Sequence, residues 1–133
     1  MSFGFGTAKE NVQDSMSATL FNAQDWKAHP CAVVAFVAEW CGNCTKLHPA
    51  FAAAGSQMSR SGVDYLQVIL SYTDKTKDPS PGDTQALGQK YDIRGYPAIL
   101  GFVGGRVVKV YDGDRSVQSL VAFGEEVKRY AAP

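Results

Sequence analysis

The sequence predicts an α/β domain in which helices lie on both faces of a mixed central β-sheet. Two observations carry this prediction: a continuous apolar run over 32–38, and an alternation of strand-like and helix-like patterns along the rest of the chain. A run without polar alternation is typical of a strand buried on both faces. The length of 133 residues suits one domain with its own core. We expect a flexible arm over 1–16 and a single domain over 17–133, because the first residues are polar and glycine-rich.

The segment before the apolar run is predicted as a short strand followed by a short helix. Residues 18–21 are assigned to the strand. Asn22 is a favoured N-cap residue, so the helix is expected from Ala23 to about Ala28, with Trp26 packed inward.

After the apolar run the pattern turns helical, with Leu47, Phe51 and Ala54 at spacings of three and four. A helix is therefore expected over 42–58, and Pro49 should kink it. The other predicted elements are, in order, a strand over 64–70, a helix from Asp83 or Thr84 to about Tyr91, a strand over 98–103, a turn at Gly104–Gly105, a strand over 106–111, and a last helix capped by Ser116 with its apolar face at Val117, Leu120, Val121, Val127 and Tyr130.

Two cysteines, Cys41 and Cys44, lie where the apolar strand passes into the long helix, and Gly42 and Asn43 separate them. The nucleophile in disulfide exchange is a thiolate, and the unpaired N–H groups and positive dipole end of a helix N-terminus favour that anion. Residues three apart on a helical turn have β-carbons roughly 5–6 Å apart, so a small adjustment brings the two sulfurs to disulfide distance. The spacing therefore predicts a redox-active pair, with Cys41 attacking and Cys44 resolving.

The sequence resembles thioredoxin-fold proteins, and a catalytic domain of protein disulfide isomerase in particular. The resemblance rests on Trp40-Cys41-Gly42-Asn43-Cys44 after a buried strand, on Pro49, on Ile93-Arg94-Gly95-Tyr96-Pro97-Ala98-Ile99, and on Tyr111-Asp112-Gly113-Asp114-Arg115. It covers roughly 18–130. The resemblance implies a thioredoxin fold and a thiol–disulfide oxidoreductase that acts on protein disulfides and dithiols.

The resemblance also implies roles for individual residues. Catalytic roles fall to Cys41, Cys44 and Arg115, the arginine being one that disulfide isomerases can swing toward the second cysteine. Substrate contacts fall to Trp40, Gly42, Asn43, Tyr96 and Pro97. A cis peptide bond is expected between Tyr96 and Pro97, beside the cysteine pair.

The sequence departs from the family pattern at its buried proton carrier. The relatives place an acid six residues before the first cysteine, where this chain has Ala35, and a lysine on the neighbouring strand, where alignment gives Ile69 or Leu70. Losing both charges together suits the fold, since a buried charge without its partner is costly. Proton transfer to Cys44 should be slower as a result. His48 is expected to be structural, with proton transfer as the alternative.

The loop over 71–82 is longer than the corresponding loop in disulfide isomerases and contains two prolines. We favour a neutral surface elaboration, although long loops are often functional. Cys31 is expected to be a small, half-buried hydrophobe, with a regulatory thiol or an intermolecular disulfide as alternatives. A structural zinc site is not expected, because no second pair of ligands follows the first.

Thirteen basic and thirteen acidic residues cancel, so nucleic acid and anionic membrane are not expected as partners. No apolar run approaches the ~20 residues of a membrane span. No metal or organic cofactor is needed, because the cysteine pair holds the electrons. The expected partners are protein or peptide substrates with disulfides or thiols, and the domain is expected to be a monomer.

Two other functions stay open from the sequence: a thioredoxin-like cytosolic reductase, and a binding module whose redox pair is idle. The chain begins without a secretory signal and ends without an endoplasmic-reticulum retention tetrapeptide. We therefore expect either a domain trimmed from a secretory-pathway protein or a cytoplasmic protein.

Overall fold

The computed structural model describes residues 15–131. In chain order its helices and strands are α1 (Ala18–Asn22), β1 (Cys31–Ala38), α2 (Gly42–Met58), β2 (Val63–Ser71), α3 (Pro81–Lys90), β3 (Ala98–Val103), β4 (Arg106–Val110) and α4 (Val117–Ala131). Two short 3₁₀ helices, Ser59–Ser61 and Lys75–Lys77, precede and follow β2. Among the residues described, no helix is both long enough and apolar enough to span a bilayer.

The four strands form one sheet in the order β2-β1-β3-β4, so the fold class predicted from the sequence, a mixed sheet with helices, is confirmed. All eight residues of β1 are buried, as the uninterrupted apolar run predicts. β3 and β4 pair antiparallel, with Leu100 opposite Val110 and a bulge at Gly101/Phe102. Gly104 and Gly105 have φ of 60° and 85°, which glycine adopts at little cost, and this confirms the predicted turn.

Two other elements follow the predicted bounds residue for residue. α2 spans Gly42–Met58 with Pro49 inside it, and β3 spans Ala98–Val103. β2 begins one residue before the predicted strand and ends one residue after it.

The predicted first strand is wrong, because residues 18–22 form α1. The Ser17 hydroxyl accepts a hydrogen bond from the amide of Leu20 at 3.2 Å and caps this helix. The extended pairing falls instead on Met16, which forms a parallel bridge with Val68. The predicted arm over 1–16 therefore ends too late, since Met16 pairs with β2; its first fourteen residues lie outside the described part of the chain.

The predicted helix over 23–28 is also wrong. Asn22 ends α1 rather than starting a helix. The Asp25 carboxylate then accepts the amides of Lys27 and Ala28 at 3.0 and 3.3 Å and holds a local turn in place of a helix. Trp26 is half-buried and stacks on Phe102, as its predicted inward packing requires.

Of the two remaining helix starts, that of α3 differs from the prediction and that of α4 agrees with it. α3 begins at Pro81 and is capped by Ser80, not by Asp83 or Thr84, because Pro at the first helical position suits a helix start. Ser116 caps α4 as predicted, its hydroxyl accepting the amide of Ser119 at 3.1 Å. The buried side of α4 consists of Leu120, Phe123, Gly124 and Val127, whereas Tyr130, which we expected there, is 53% exposed.

The chain divides into two compact units. The first consists of the described part of Met1–Ala23 with Phe36–His48 and Gln67–Ala98. Its core includes Phe36, whose ring meets Phe21 edge-on at 5.8 Å and Tyr91 at 6.0 Å. A hydrogen bond of 2.7 Å from the Thr19 hydroxyl to Asp83 joins α1 to α3.

The second unit consists of Gln24–Ala35, Pro49–Leu66 and Ile99–Pro133, of which the last two residues are not described. Tyr65 is central to it: its ring packs on Phe51, and its hydroxyl donates to the carbonyl of Leu120 at 2.6 Å. A β-carbon at Gly124 would lie 2.1 Å from the Tyr65 oxygen, so α4 needs glycine at this close approach.

Candidate active site

Cys41 lies between β1 and the first residue of α2, as the sequence predicts. Its amide donates to the carbonyl of Ala38 at 3.2 Å, and its own carbonyl accepts the amide of Thr45 at 3.3 Å. Cys41 thus occupies the N-cap position of a helix of 17 residues. The buried strand on one side and the long helix on the other fix the place of this cysteine.

The Cys41 sulfur has two close partners. The amide of Cys44, the third residue of α2, donates to it at 3.2 Å, which is the contact that an N-cap side chain makes. The Cys41 thiol in turn donates to the carbonyl of Tyr96, 3.5 Å away. The first contact stabilises a thiolate on Cys41, since an N–H aimed at an anion is a strong donor.

The two cysteines differ in access. Cys41 is 8% exposed and Cys44 is fully buried, and both are reduced thiols in the structure. Gly42 and Asn43 between them are exposed, and a β-carbon added at Gly42 would meet no atom within 4 Å. The outer thiol can therefore meet a substrate, whereas the inner one is confined to the interior beside it.

The predicted cis peptide bond between Tyr96 and Pro97 is confirmed. Tyr96 is half-buried, and burial, followed by the nearby Cys44, raises the pKa of its hydroxyl. Its ring packs edge-on against Trp40 at 5.8 Å, and Trp40 is 62% exposed. The structure thus brings together Trp40, the two cysteines and Tyr96–Pro97, all of which we singled out from the sequence.

Two residues that hold this surface, Glu39 and Ser71, were not anticipated from the sequence. The Ser71 hydroxyl accepts the indole N–H of Trp40 at 2.7 Å, and the Ser71 carbonyl accepts the amide of Glu39 at 3.0 Å. The Glu39 carboxylate accepts the amide of Thr73 at 2.7 Å. The position of Ser71 at the end of β2 was the available signal, because ligands collect at the carboxyl ends of neighbouring strands.

Arg115 is exposed, on the segment between β4 and α4. It lies near Tyr111, whose pKa burial raises and the Arg115 charge partly lowers. The hydroxyl of Tyr111 donates to the carbonyl of Asp114, which holds this segment. The role of Arg115 toward Cys44 stays a prediction.

The positions where relatives carry a buried acid and lysine are apolar and closed to solvent. Ala35 is fully buried, and Ile69 and Leu70 are 3% and 8% exposed. No charged or polar side chain is buried anywhere in residues 15–131. His48 is half-buried, and its Nδ1 lies 2.8 Å from the side-chain carbonyl of Gln67.

Gln67 is a third residue that was not anticipated from the sequence. Its amide nitrogen donates to the hydroxyl of Ser15 at 3.2 Å, so its carbonyl oxygen is directed to His48. No three His, Cys, Asp or Glu side chains within the described range are grouped as a metal site would require.

A buried dithiol pair at the start of a helix, after a central strand and beside a cis-proline, defines the class of thioredoxin-fold proteins with a Cys-x-x-Cys centre. The family model described as Thioredoxin matches residues 12–126. The chain belongs to the thioredoxin family.

Curated relatives narrow the resemblance to disulfide isomerases. The chain is 34% identical over 125 residues to protein disulfide isomerase-like 1-4 of Oryza sativa subsp. japonica, covering 91% of this chain and 20% of that protein. It is 37% identical over 102 residues to protein disulfide isomerase-like 1-3 of Arabidopsis thaliana, covering 77% of this chain and 15% of that protein. The chain thus spans a fifth or less of the length of these relatives, and it is a disulfide-isomerase-like thioredoxin domain.

A solved structure shows the same fold. The J-Trx1 fragment of ERdj5 superposes with a TM-score of 0.64 at 22% identity, covering 89% of this chain and 52% of that one. At this identity the likeness concerns the fold alone. It agrees with the order of helices and strands described above.

Proposed function

We propose that this domain is a thiol–disulfide oxidoreductase that exchanges electrons between its Cys41–Cys44 pair and cysteines of polypeptide substrates. The observation that carries the proposal is the hydrogen bond from the Cys44 amide to the Cys41 sulfur at a helix N-terminus. Membership of the thioredoxin family and similarity to disulfide isomerases support it. No other donor of electrons is needed for one turnover.

In the first step the Cys41 thiolate attacks one sulfur of a substrate disulfide. The substrate S–S bond breaks, a mixed disulfide forms between Cys41 and that sulfur, and the other substrate sulfur leaves as a thiolate. The helix N-terminus favours the attacking anion, and Trp40 offers an exposed aromatic surface beside it.

In the second step Cys44 loses its proton and attacks the Cys41 sulfur. The bond to the substrate breaks, a Cys41–Cys44 disulfide forms, and the substrate leaves as a dithiol after receiving two electrons. Run in reverse, the same steps oxidise a substrate dithiol. The burial of Cys44 protects it from outside disulfides, so it reacts with the adjacent Cys41.

Substrate contacts in this proposal come from Trp40, Gly42, Asn43, Tyr96 and Pro97. Gly42 and Asn43 are exposed next to the attacking sulfur, so a substrate chain can approach without displacing a side chain there. The Tyr96 carbonyl lies against that sulfur and is the nearest backbone acceptor to a bound peptide. Arg115 is assigned to the resolving step on the resemblance alone.

The experiment is reduction of insulin by dithiothreitol with the domain as catalyst, followed by turbidity. Wild type should accelerate the reaction, and Cys41→Ser should abolish the acceleration. Cys44→Ser should accumulate mixed disulfides with substrate, visible as a larger species that dithiothreitol releases. Cys31→Ala is the control for thiol chemistry outside the pair and should behave as wild type.

A binding module with an idle redox pair is the second candidate, and the lack of a buried carboxylate in residues 15–131 favours it. It predicts that wild type and Cys41→Ser are equally inactive on insulin while both bind unfolded polypeptide.

Full turnover by Cys44→Ala would leave the thiol chemistry in place and overturn the resolving role of Cys44.

A further inference from the structure

A groove of about 560 Å³ lies between the segment that follows β2 and one side of α3. The segment is the 71–82 loop, which the family resemblance indicates to be an insertion. The volume of the groove is within the range of ligand-binding clefts, about 300–1,000 Å³. The loop thus forms one wall of a cleft.

The groove adjoins the redox pair through two of its lining residues, Tyr96 and Ser71. Tyr96 lines it, and the carbonyl of the same residue lies 3.5 Å from the Cys41 sulfur. Ser71 also lines it, and its hydroxyl holds the indole of Trp40. A polypeptide whose cysteine has reacted with Cys41 therefore lies one residue, Tyr96, away from this groove.

Hydrogen bonds hold both ends of the 71–82 loop that forms this wall. At its start the amide of Thr73 donates to Glu39 at 2.7 Å. At its end the Asp78 carboxylate accepts the amide of Ser80 and the hydroxyl of Thr84, both at 3.0 Å. A wall that is anchored at both ends costs little ordering entropy when a ligand binds.

The lining of the groove contains both apolar and hydrogen-bonding side chains. Leu70 and Ile93 give it apolar surface, and Gln85 and Gln89 of α3 offer side-chain amides that donate and accept. Tyr72 is half-buried at the loop wall, and burial, followed by Asp78 and Glu39, raises the pKa of its hydroxyl. Apolar surface with hydrogen-bonding groups around it suits a peptide, which has apolar side chains and polar backbone groups.

The charges in the lining differ in whether they already have partners. Asp92 is paired with the Arg94 guanidinium at 2.9 Å, whereas Asp78 keeps its charge and accepts hydrogen bonds from neutral groups of the loop and of α3. Lys75 is exposed, lines the groove, and forms no salt bridge within residues 15–131. The cation that remains for a ligand in this groove is that of Lys75.

We propose that this groove binds the substrate polypeptide next to its reacting cysteine and that Lys75 selects an acidic side chain there. The inference rests on the proposed oxidoreductase function and adds a substrate class to it. It makes the 71–82 loop a specificity element rather than a neutral elaboration. Polypeptides with a Glu or Asp near the cysteine are preferred over those with Lys or Arg.

The experiment uses three synthetic peptides that carry one internal disulfide and differ at one position near a cysteine, which is Glu, Gln or Lys. Reduced domain is mixed with each peptide in a single turnover, and kcat/KM is measured at low salt. Exposed ion pairs contribute about 0.2–1 kcal/mol, so the Glu peptide should exceed the Lys peptide by about 1.4- to fivefold. Added salt should shrink this ratio.

Lys75→Glu should reverse the preference among the three peptides. Lys77→Glu is the matched control: it is exposed in the same short helix, does not line the groove, and should keep the wild-type order. An unchanged order in Lys75→Glu, or the same change in both variants, would overturn the proposal.

A change of size gives a second, charge-independent test. Gln85→Trp would fill the groove from α3, whereas Ala86→Trp places the same side chain on the next, equally exposed residue outside it. The first should lower kcat/KM for the peptides by several-fold relative to the second. Equal values for both would show that the peptide does not enter the groove.

Failure of this inference is separable from failure of the oxidoreductase. Hydroxyethyl disulfide is small and neutral and has no flanking chain for the groove. If the reduced wild-type domain reacts neither with it nor with insulin, the proposed function itself is wrong. If the domain reduces hydroxyethyl disulfide but has the same kcat/KM for all three peptides, only the proposal that the groove selects acidic substrates is wrong.

Discussion

The amide N–H of Cys44 points at the sulfur of Cys41, 3.2 Å away, and thereby joins the two thiols of the pair before any disulfide forms. The donor belongs to the first turn of α2, whose other N–H groups face the same way. The donor is thus aimed at the sulfur that attacks in the proposed reaction. It stabilises the reduced pair, which links the geometry to the redox potential.

Asn43 should place that potential between about −270 mV and about −180 mV, the thioredoxin and disulfide-isomerase values. An amide has donors but cannot become a cation, so it stabilises a neighbouring thiolate less than a protonated histidine does. Asn43→His should therefore raise the potential, measured by equilibration with glutathione buffers. Gln57→His, the same change near the other end of α2, should leave it unaltered. A wild-type value outside the window would mean that Asn43 does not set the potential.

Ala35→Glu should raise turnover near neutral pH and lower stability. General acid–base assistance is typically about 10²–10⁴-fold, which sets the upper range of the expected gain. Wild-type turnover should improve as pH rises, because Cys44 then ionises without help, and the variant should show a flatter pH profile. The new carboxyl would be fully buried without a partner, so urea unfolding should show a loss. A stability loss with unchanged turnover would point to another proton carrier.

His48→Ala should lower the free energy of unfolding by about 0.5–1.5 kcal/mol, the net contribution of one hydrogen bond, because Gln67 loses the partner of its carbonyl. The pH profile of turnover should keep its shape, since the contact described for His48 is with Gln67. Gln67→Leu removes this bond together with the one to Ser15 and should therefore cost more. Loss of a group titrating near the ordinary histidine pKa of about 6.5 would instead identify His48 as the proton carrier of Cys44.

Arg115→Ala should slow the release of mixed disulfides more than their formation. A cation brought near Cys44 would favour its thiolate, which is the nucleophile of the second step only. Stopped-flow mixing with a substrate disulfide, quenched by alkylation, separates the two steps. Arg106→Ala, an exposed arginine of β4, serves as the control for general charge loss. Equal slowing of both steps would count against the assigned role.

Cys31 should make the fold less stable in alkali. Burial, with a contribution from Asp64 against the opposing Lys128, raises the pKa of this thiol above its ordinary value of 9.0. Above pH 9 the unfolded chain has lost the Cys31 proton while the folded chain still holds it, so the free energy of unfolding falls as pH rises. Urea titrations across this range should show a smaller fall for Cys31→Ala. Equal slopes in the two proteins would show that Cys31 titrates alike in both states.

Local patterns in the sequence were enough to predict the central helices and strands and the cysteine pair. The bounds of α2 and β3 agree with prediction because hydrophobic periodicity, a cap position and paired glycines act over a few residues. The same local logic was wrong at 18–28, where Ser17 and Asp25 stabilise a short helix and a turn in a segment too short to have a period. The change from a strand-like apolar run to apolar residues at helical spacing was enough to place Cys41 at the start of the helix.

Tertiary structure decided what surrounds the pair. The Tyr96 carbonyl against Cys41, 55 residues apart in the chain, and Gln67 against His48, 19 residues apart, are contacts that no short-range pattern predicts. The wall formed by the 71–82 loop depends likewise on how β2 and α3 lie around it. The sequence by itself determined the chemistry, because a thiol pair at a helix start is a local feature. Only the folded chain decided what the pair can meet, because that depends on segments brought together by burial of the core.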